Sequence, residues 1–289
     1  MHIGFQGIHG AYSEVAIYSH FGKRPLNPGV YPGVDPGFET IGFETFQDVA
    51  DAVKRKEIDC ALLPVENSIV GSISENIDIL IREDLYIIAE VYLRIRHHLL
   101  ANKGALLSGI KQALSHPAAL SQCKDYLRMN GIKALPVYDT AGAARMISEQ
   151  NNFSQGAVAS ELCAELYSLD VLGRDIQSFK DNFTRFFVAV RKEDAPKEIK
   201  REKTSVVFKT YHRPGALAEI LQIFSKHRIN MTKLESRPIP ENPWQYSFLV
   251  DFEGGLYDPS VLAAIAEIGA ATPFHKVLGS YPKGDKNGN

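Results

Sequence analysis

Short apolar runs recur along the first two thirds of the chain, each followed by a polar turn and then a helix-forming stretch. Ile3-Gly4-Phe5 leads into a glycine-spaced loop, Gly7 and Gly10, and then Ser13-Glu14. Cys60 to Val65 leads into Glu66-Asn67-Ser68, then Ser72 and a helix through Ile77 to Ile81. Ala113-Leu114 leads into Ser115-His116-Pro117 and a helix ending near Gly131. Leu135 to Tyr138 leads into Asp139-Thr140 and a helix over 141–149, and Ala157-Val158-Ala159 into Ser160 and a helix over 161–168. Runs this short, alternating with helical stretches, predict an α/β fold with mostly parallel sheet. A further run, Phe186 to Val190, reads as a buried strand whose entrance carries Thr184 and Arg185.

The pattern changes after a charged stretch without apolar period, 192–203, which predicts a solvated linker. Beyond it come a strand at 204–209 and a helix at 215–225 with Leu217, Ile220, Leu221 and Phe224 on one stripe. Strands at 230–237 and 246–252, a helix at 258–268 and a last strand at 273–281 complete a βαββαβ, ferredoxin-like order. The tail from Lys283 to Asn289 is expected to be disordered.

In an open α/β sheet the strand C-termini and helix N-termini converge on one edge, where ligands bind. Taken singly, a hydroxyl at a helix start reads as a cap for unpaired N–H groups, with Pro117 suited to a first turn. Several on one edge offer N–H groups and partial positive charge to a ligand with carboxylates. Arg185 adds a planar, bidentate donor for the same chemistry, though a lone Thr-Arg pair also reads as strand-edge polarity. Gly4, Gly7 and Gly10 do not form G-x-G-x-x-G and no Walker sequence occurs, so no nucleotide cofactor is expected. His97-His98 is not spaced for a metal, and no metal site is expected. The pair reads instead as a crossing strand with partly exposed imidazoles.

Composition removes other classes. The 289 residues suffice for two or three domains, and the net charge of -2 offers no field for nucleic acid. No apolar run is long enough for a membrane span, and the N-terminus reads as a first strand rather than a signal peptide. Cys60, Cys123 and Cys163 are scattered and read as buried free thiols, which fits a reducing cytoplasm. An upstream targeting segment removed from the chain stays open as an alternative.

Taken in order, Pro64-Val65-Glu66-Asn67-Ser68, Ser115-His116-Pro117, Asp139-Thr140-Ala141-Gly142-Ala143-Ala144 and Asn182-Phe183-Thr184-Arg185-Phe186-Phe187 resemble the prephenate dehydratase family. Gly215-Ala216-Leu217 and Glu235-Ser236-Arg237-Pro238 resemble the amino-acid-binding ACT domain that this family carries. The resemblance implies a catalytic domain over 1–191 with two lobes, as in type II periplasmic binding proteins: 1–93 with 181–191, and 94–180. An ACT domain over 204–282 would follow. The implied reaction is decarboxylating dehydration of prephenate to phenylpyruvate without a cofactor. Arogenate is the alternative substrate, since Gln6-Gly7-Ile8-His9-Gly10 replaces the Gly-Pro-type turn of many members, and Glu66 or Asp139 could meet its ammonium. Thr184 matches the family's catalytic threonine, and Glu66 or His116 would supply the proton. Ser13, Asn67, Ser68, Ser115, Thr140, Arg185 and Phe186 would bind substrate, with the phenylalanines otherwise core. Phenylalanine would bind as effector at Gly215, Ala216, Leu217, Glu235, Ser236, Arg237 and Pro238. Each of those also reads structurally, as a turn glycine and a strand end. Paired ACT domains imply a homodimer, with a tetramer the further option. A non-catalytic amino-acid sensor on the same fold is the rival class.

Overall fold

The computed structural model describes residues 1–22, 37–239 and 242–285. In chain order its main elements are β1 (His2–Gln6), α1 (Tyr12–Phe21), β2 (Glu39–Phe43), α2 (Phe46–Lys54), β3 (Cys60–Asn67), β4 (Gly71–Ser72), α3 (Ser74–Arg82) and β5 (Leu85–Arg94). Next come β6 (His98–Asn102), β7 (Gln112–Ser115), α4 (Pro117–Gln122), α5 (Lys124–Met129), β8 (Lys133–Pro136), α6 (Thr140–Gln150), β9 (Gln155–Ala159), α7 (Glu161–Leu166), β10 (Leu169–Gly173) and β11 (Phe183–Arg191). The last are β12 (Lys203–Lys209), α8 (Ala216–Lys226), β13 (Met231–Ile239), β14 (Asn242–Glu253), α9 (Pro259–Ala271) and β15 (Phe274–Tyr281).

The chain forms two compact units, Met1–Asn76 with Val91–Phe186, and Ile77–Glu90 with Phe187–Asp285. The first unit holds both α/β lobes. In one lobe, β1 lies parallel between β2 and β3, and β4 folds back on β3. In the other, five strands run in the order β10-β6-β9-β7-β8. That second sheet shows why its strands read as unbroken apolar runs: helices cover both faces. Leu99 and Ala101 of β6 join one core with Leu120 and Leu127 of α4 and α5, while Leu100 between them joins Ala144, Ile147 and Cys163 of α6 and α7. Period-two alternation thus feeds two cores from one strand. All three cysteines are free and buried. Burial pushes each thiol up to about 12, which leaves them unreactive at neutral pH.

In the second unit β12, α8, β13, β14, α9 and β15 form the expected ferredoxin-like order, with β13-β14-β12-β15 antiparallel. Val206 and Phe208 of β12 alternate inward to meet Ile220 and Phe224 of α8 and Val261 and Ile268 of α9. Residues 77–90, expected with the first lobe, group here instead, because β15 pairs with β5 at Gly279 and Ile87 and because Lys203 pairs with Glu90. Lys203 also corrects the expected linker. It already belongs to β12, is 5% exposed, and its Nζ lies 2.8 Å from Glu90 Oε2. A lysine in a charged run reads as solvated; this one has a buried partner far away in sequence. The expected disordered tail is corrected at its start, since the Lys283 and Gly284 N–H groups donate to Glu202 and Glu90. Its last four residues, 286–289, lie outside the described residues.

Candidate active site and effector pocket

The end of β3 and the start of β11 bring the strongest candidates together. Asn67 sits where β3 turns into the β4 hairpin. Its Oδ1 accepts the N–H groups of Ile69 and Val70, both at 3.0 Å, the local bond that makes Asn a turn residue. Those two donors have no choice of role, so they fix which way the amide faces. Asn67 Nδ2 therefore points at β11, donating to Asn182 Oδ1 at 2.8 Å and to Thr184 Oγ1 at 3.0 Å. Ser68 stitches the same edge: its N–H donates to Phe183 O, and its Oγ accepts the Phe183 N–H. Thr184 is 8% exposed, and its hydroxyl accepts from Asn67 while having no acceptor for its own proton among the described residues. The arrangement leaves the O–H free to be given to a ligand.

Arg185, the next residue of β11, is 5% exposed and has Nη1 3.9 Å from Glu66 Oε2. Glu66 itself stays half-exposed. A buried guanidinium beside a donor hydroxyl is a natural seat for a carboxylate.

Behind this edge runs a chain of polar contacts that no sequence motif announces. Asn182 Nδ2 donates to Gln122 Oε1 at 2.9 Å, and His97 Nε2 lies 2.8 Å from the same oxygen. Tyr12 OH lies 2.7 Å from His97 Nδ1. The expectation of partly exposed imidazoles is corrected here: His97 is 3% exposed and His98 4%. Burial pushes His97 down to about 4, against an upward pull from Gln122, so the ring is neutral at pH 7.

The first loop uses the conformational freedom of glycine. Gly10 has φ 95°, and a Cβ there would meet Cys163 Sγ at 2.6 Å. The other lobe clasps this loop, Ser160 Oγ donating to Gly10 O and Tyr167 OH to His9 O, both at 2.6 Å. Buried Glu14 gathers the Gly10 N–H, the His9 ring and the Thr40 hydroxyl. Ser13 lies half-buried in the first turn of α1.

Several expected site residues have other work. Ser115 is 0% exposed and donates to Val158 O at 2.6 Å, tying β7 to β9, so its hydroxyl is not presented at a helix start. His116 caps α4, its Nδ1 accepting the Ala118 N–H. Asp139 caps α6 by accepting the Gly142 N–H at 2.5 Å, and Thr140 follows it as the first helical residue. That carboxylate already takes the Gly142 N–H at the α6 start. Phe186 is 1% exposed and belongs to the core rather than the site. The signal for hydroxyl caps misled because an imidazole and a carboxylate do the capping.

In the second unit, a pocket of about 460 Å³ opens at the start of α8, lined by Gly215, Ala216, Leu217, Tyr211 and Arg213 among others. Gly215, at φ 80°, turns the chain so that α8 begins there. Glu235, Ser236, Arg237 and Pro238 are not among its lining residues and lie along β13. Arg237 makes a bidentate contact to Asp78 of α3, Nη2 to Oδ2 at 2.6 Å and Nε to Oδ1 at 3.3 Å. Glu235 pairs with Lys233 at 3.1 Å.

Comparison with known proteins agrees with this layout. Residues 3–194 match the prephenate dehydratase family model, and residues 204–270 match that of the ACT domain. The chain belongs to the prephenate dehydratase family. Among curated relatives, arogenate dehydratase/prephenate dehydratase 2 of Arabidopsis thaliana is 39% identical, over 97% of this chain and 72% of its own. The bifunctional chorismate mutase/prephenate dehydratase of Aquifex aeolicus is also 39% identical, over 83% of this chain and 65% of its own. The solved prephenate dehydratase of Arthrobacter aurescens in complex with L-Phe superimposes with a TM-score of 0.86 at 29% identity, over 99% of this chain and 91% of that one. GqqA, described as a novel type of quorum quenching acylase, gives 0.85 at 31% identity over 98% of both chains. No helix among the described residues is long and apolar enough to cross a membrane.

Proposed function

We propose that this dehydratase converts prephenate to phenylpyruvate, carbon dioxide and water, and that phenylalanine regulates it at the ACT domain. The observation that carries the catalytic half is the Thr184 hydroxyl, which accepts from Asn67 and keeps its proton unspent beside Arg185. In the reaction the ring C–CO2 bond breaks, its electron pair becomes ring π-bond, and the C–O bond opposite breaks with its own pair. The leaving hydroxide takes one proton and departs as water. Thr184 donates a hydrogen bond to that oxygen as charge develops there, which is stabilisation made in the transition state. Arg185, Ser13 and Thr140 hold carboxylates. Asn67 and Ser68 hold the loop in register with β11.

An alcohol is too weak an acid for full transfer at neutral pH. Glu66 is the better placed of the two proposed donors, since it shares the loop with Asn67 and approaches Arg185. His116 already uses Nδ1 as a cap. Phenylalanine would place its carboxylate at the α8 start, by Gly215, Ala216 and Leu217, with Glu235 to Pro238 supplied by a paired ACT domain. A homodimer through those domains follows, with a tetramer as its extension.

Arogenate is the second reading, favoured by 40% identity to arogenate dehydratase 2 of Petunia hybrida. An acylase role like that of GqqA is not favoured, because nucleophilic attack needs a base on the Thr184 hydroxyl and Asn67 is a donor to it. Phenylpyruvate formation from prephenate, followed by ultraviolet absorbance with and without phenylalanine and with arogenate in parallel, tests the proposal. Turnover of prephenate is expected, suppressed by phenylalanine. Turnover of arogenate alone moves the protein to the second reading, and turnover of neither defeats the enzyme reading.

A further inference from the structure

The partly buried chain Tyr12–His97–Gln122–Asn182–Asn67–Thr184 crosses both lobes of the first unit, and its direction can be read from the Asn67 end. The Ile69 and Val70 N–H groups hold Asn67 Oδ1, so Asn67 Nδ2 must be the donor toward β11. Asn182 Oδ1 accepts one of its protons at 2.8 Å, and Thr184 Oγ1 at 3.0 Å shares the other with Phe183 O at 3.2 Å. Having presented Oδ1 to Asn67, Asn182 presents Nδ2 to Gln122 Oε1. That oxygen can receive His97 Nε2 only if Nε2 carries the ring proton. A neutral imidazole has one such proton, so Nδ1 is bare and takes the Tyr12 hydroxyl. The Tyr12 end would equally serve the reverse polarity, because Arg96 O lies 2.8 Å from the same hydroxyl. The direction is therefore imposed from the Asn67 turn outward.

We infer that His97 and Asn182 are positioning residues for the dehydration, anchoring Asn67 Nδ2 so that Thr184 receives one bond and keeps its own proton for the substrate. The inference rests on the proposed reaction for its kinetic consequence alone. Asn182 takes the Asn67 proton that would otherwise let the amide swing away from Thr184. His97, through Gln122, stops Asn182 from turning its amide over. His97 and Asn182 are 3% and 0% exposed, so neither side chain is presented to a ligand.

The test uses the full chain labelled with 15N-histidine, with the His97 signal assigned by its loss in His97→Gln. The ring proton is expected on Nε2. In the near-isosteric Asn182→Asp, a carboxylate oxygen faces Gln122, whose amide must turn over, and the ring proton is expected to move to Nδ1 while Tyr12 turns to Arg96 O. Asn182→Ala should lower kcat about tenfold or more with KM changed less than about threefold, the pattern of a displaced reacting group. Tyr12→Phe should keep the proton on Nε2, and it serves as the second variant if Asn182→Asp does not fold. A ring proton on Nδ1 in the unaltered protein or in Tyr12→Phe, no shift of tautomer in folded Asn182→Asp, or an unchanged kcat in folded Asn182→Ala overturns the inference. The tautomer is read without turnover, so failure of the proposed reaction is distinguishable from failure of the chain's direction.

Discussion

The two units bury polar groups by different means. In the catalytic unit the polar chain behind Thr184, apart from the charged Glu14 and Arg185, is neutral: amides, a phenol, an alcohol and an imidazole that burial keeps uncharged. In the C-terminal unit it is ionic. Lys203 and Glu90, 5% and 3% exposed, pair at 2.8 Å, and fully buried Asp251 accepts from Ser205, which also meets Tyr281 OH at 2.6 Å. A neutral chain has a direction, so it can decide which hydroxyl donates. An ion pair has strength but no such direction; it penalises any arrangement that separates its charges. Direction suits a site that must present one proton. Here the ion pair locks β12 against β5, where the C-terminal unit takes in residues 77–90.

The comparison can be broken at the ionic end first. Lys203→Met should destabilise the protein by about 3 kcal/mol or more, because buried Glu90 loses the cation that lies 2.8 Å from it. Lys203→Met combined with Glu90→Leu should recover most of that loss in a urea titration, since an apolar pair carries no unpaired charge. A double variant as unstable as the single one would remove the ionic explanation.

The neutral end responds to acid. His97 has its folded value pushed down to about 4 from an ordinary 6.5, so between those values the unfolded chain binds a proton that the folded chain does not. Stability is therefore full above about pH 6.5 and falls as pH drops towards 4, by at most about 3 kcal/mol. His97→Gln should flatten that part of the stability profile. An identical slope in the variant would show that other groups set it. The smallest effect is expected at the Arg237–Asp78 contact, whose carboxylate is half-exposed, so Asp78→Asn should cost less than about 1 kcal/mol in thermal unfolding.

Much of the fold was legible because it is written in short-range period. The alternation of Leu99, Leu100 and Ala101, and the stripe of Ile220 and Phe224, each depend only on neighbours in the same element. Asn67, Thr184 and Arg185 were legible as motif. The roles of Tyr12, His97, Gln122 and Asn182 were not, since each contact spans tens of residues and none falls on an element's period. Lys203 was misread for the same reason, its partner lying 113 residues away. The capping groups failed differently. Asp139 caps α6 as the usual N-cap preference allows, but Ser115 spends its hydroxyl on a neighbouring strand, and His116 takes the cap of α4.

The central claim is that the Thr184 hydroxyl donates to the leaving oxygen. The most direct measurement is kcat for prephenate in Thr184→Val, which keeps the shape and removes the proton. A fall of at least about 100-fold with KM little changed is expected, the size of a lost donor to developing charge. A kcat within a few-fold of the unaltered protein would contradict the claim.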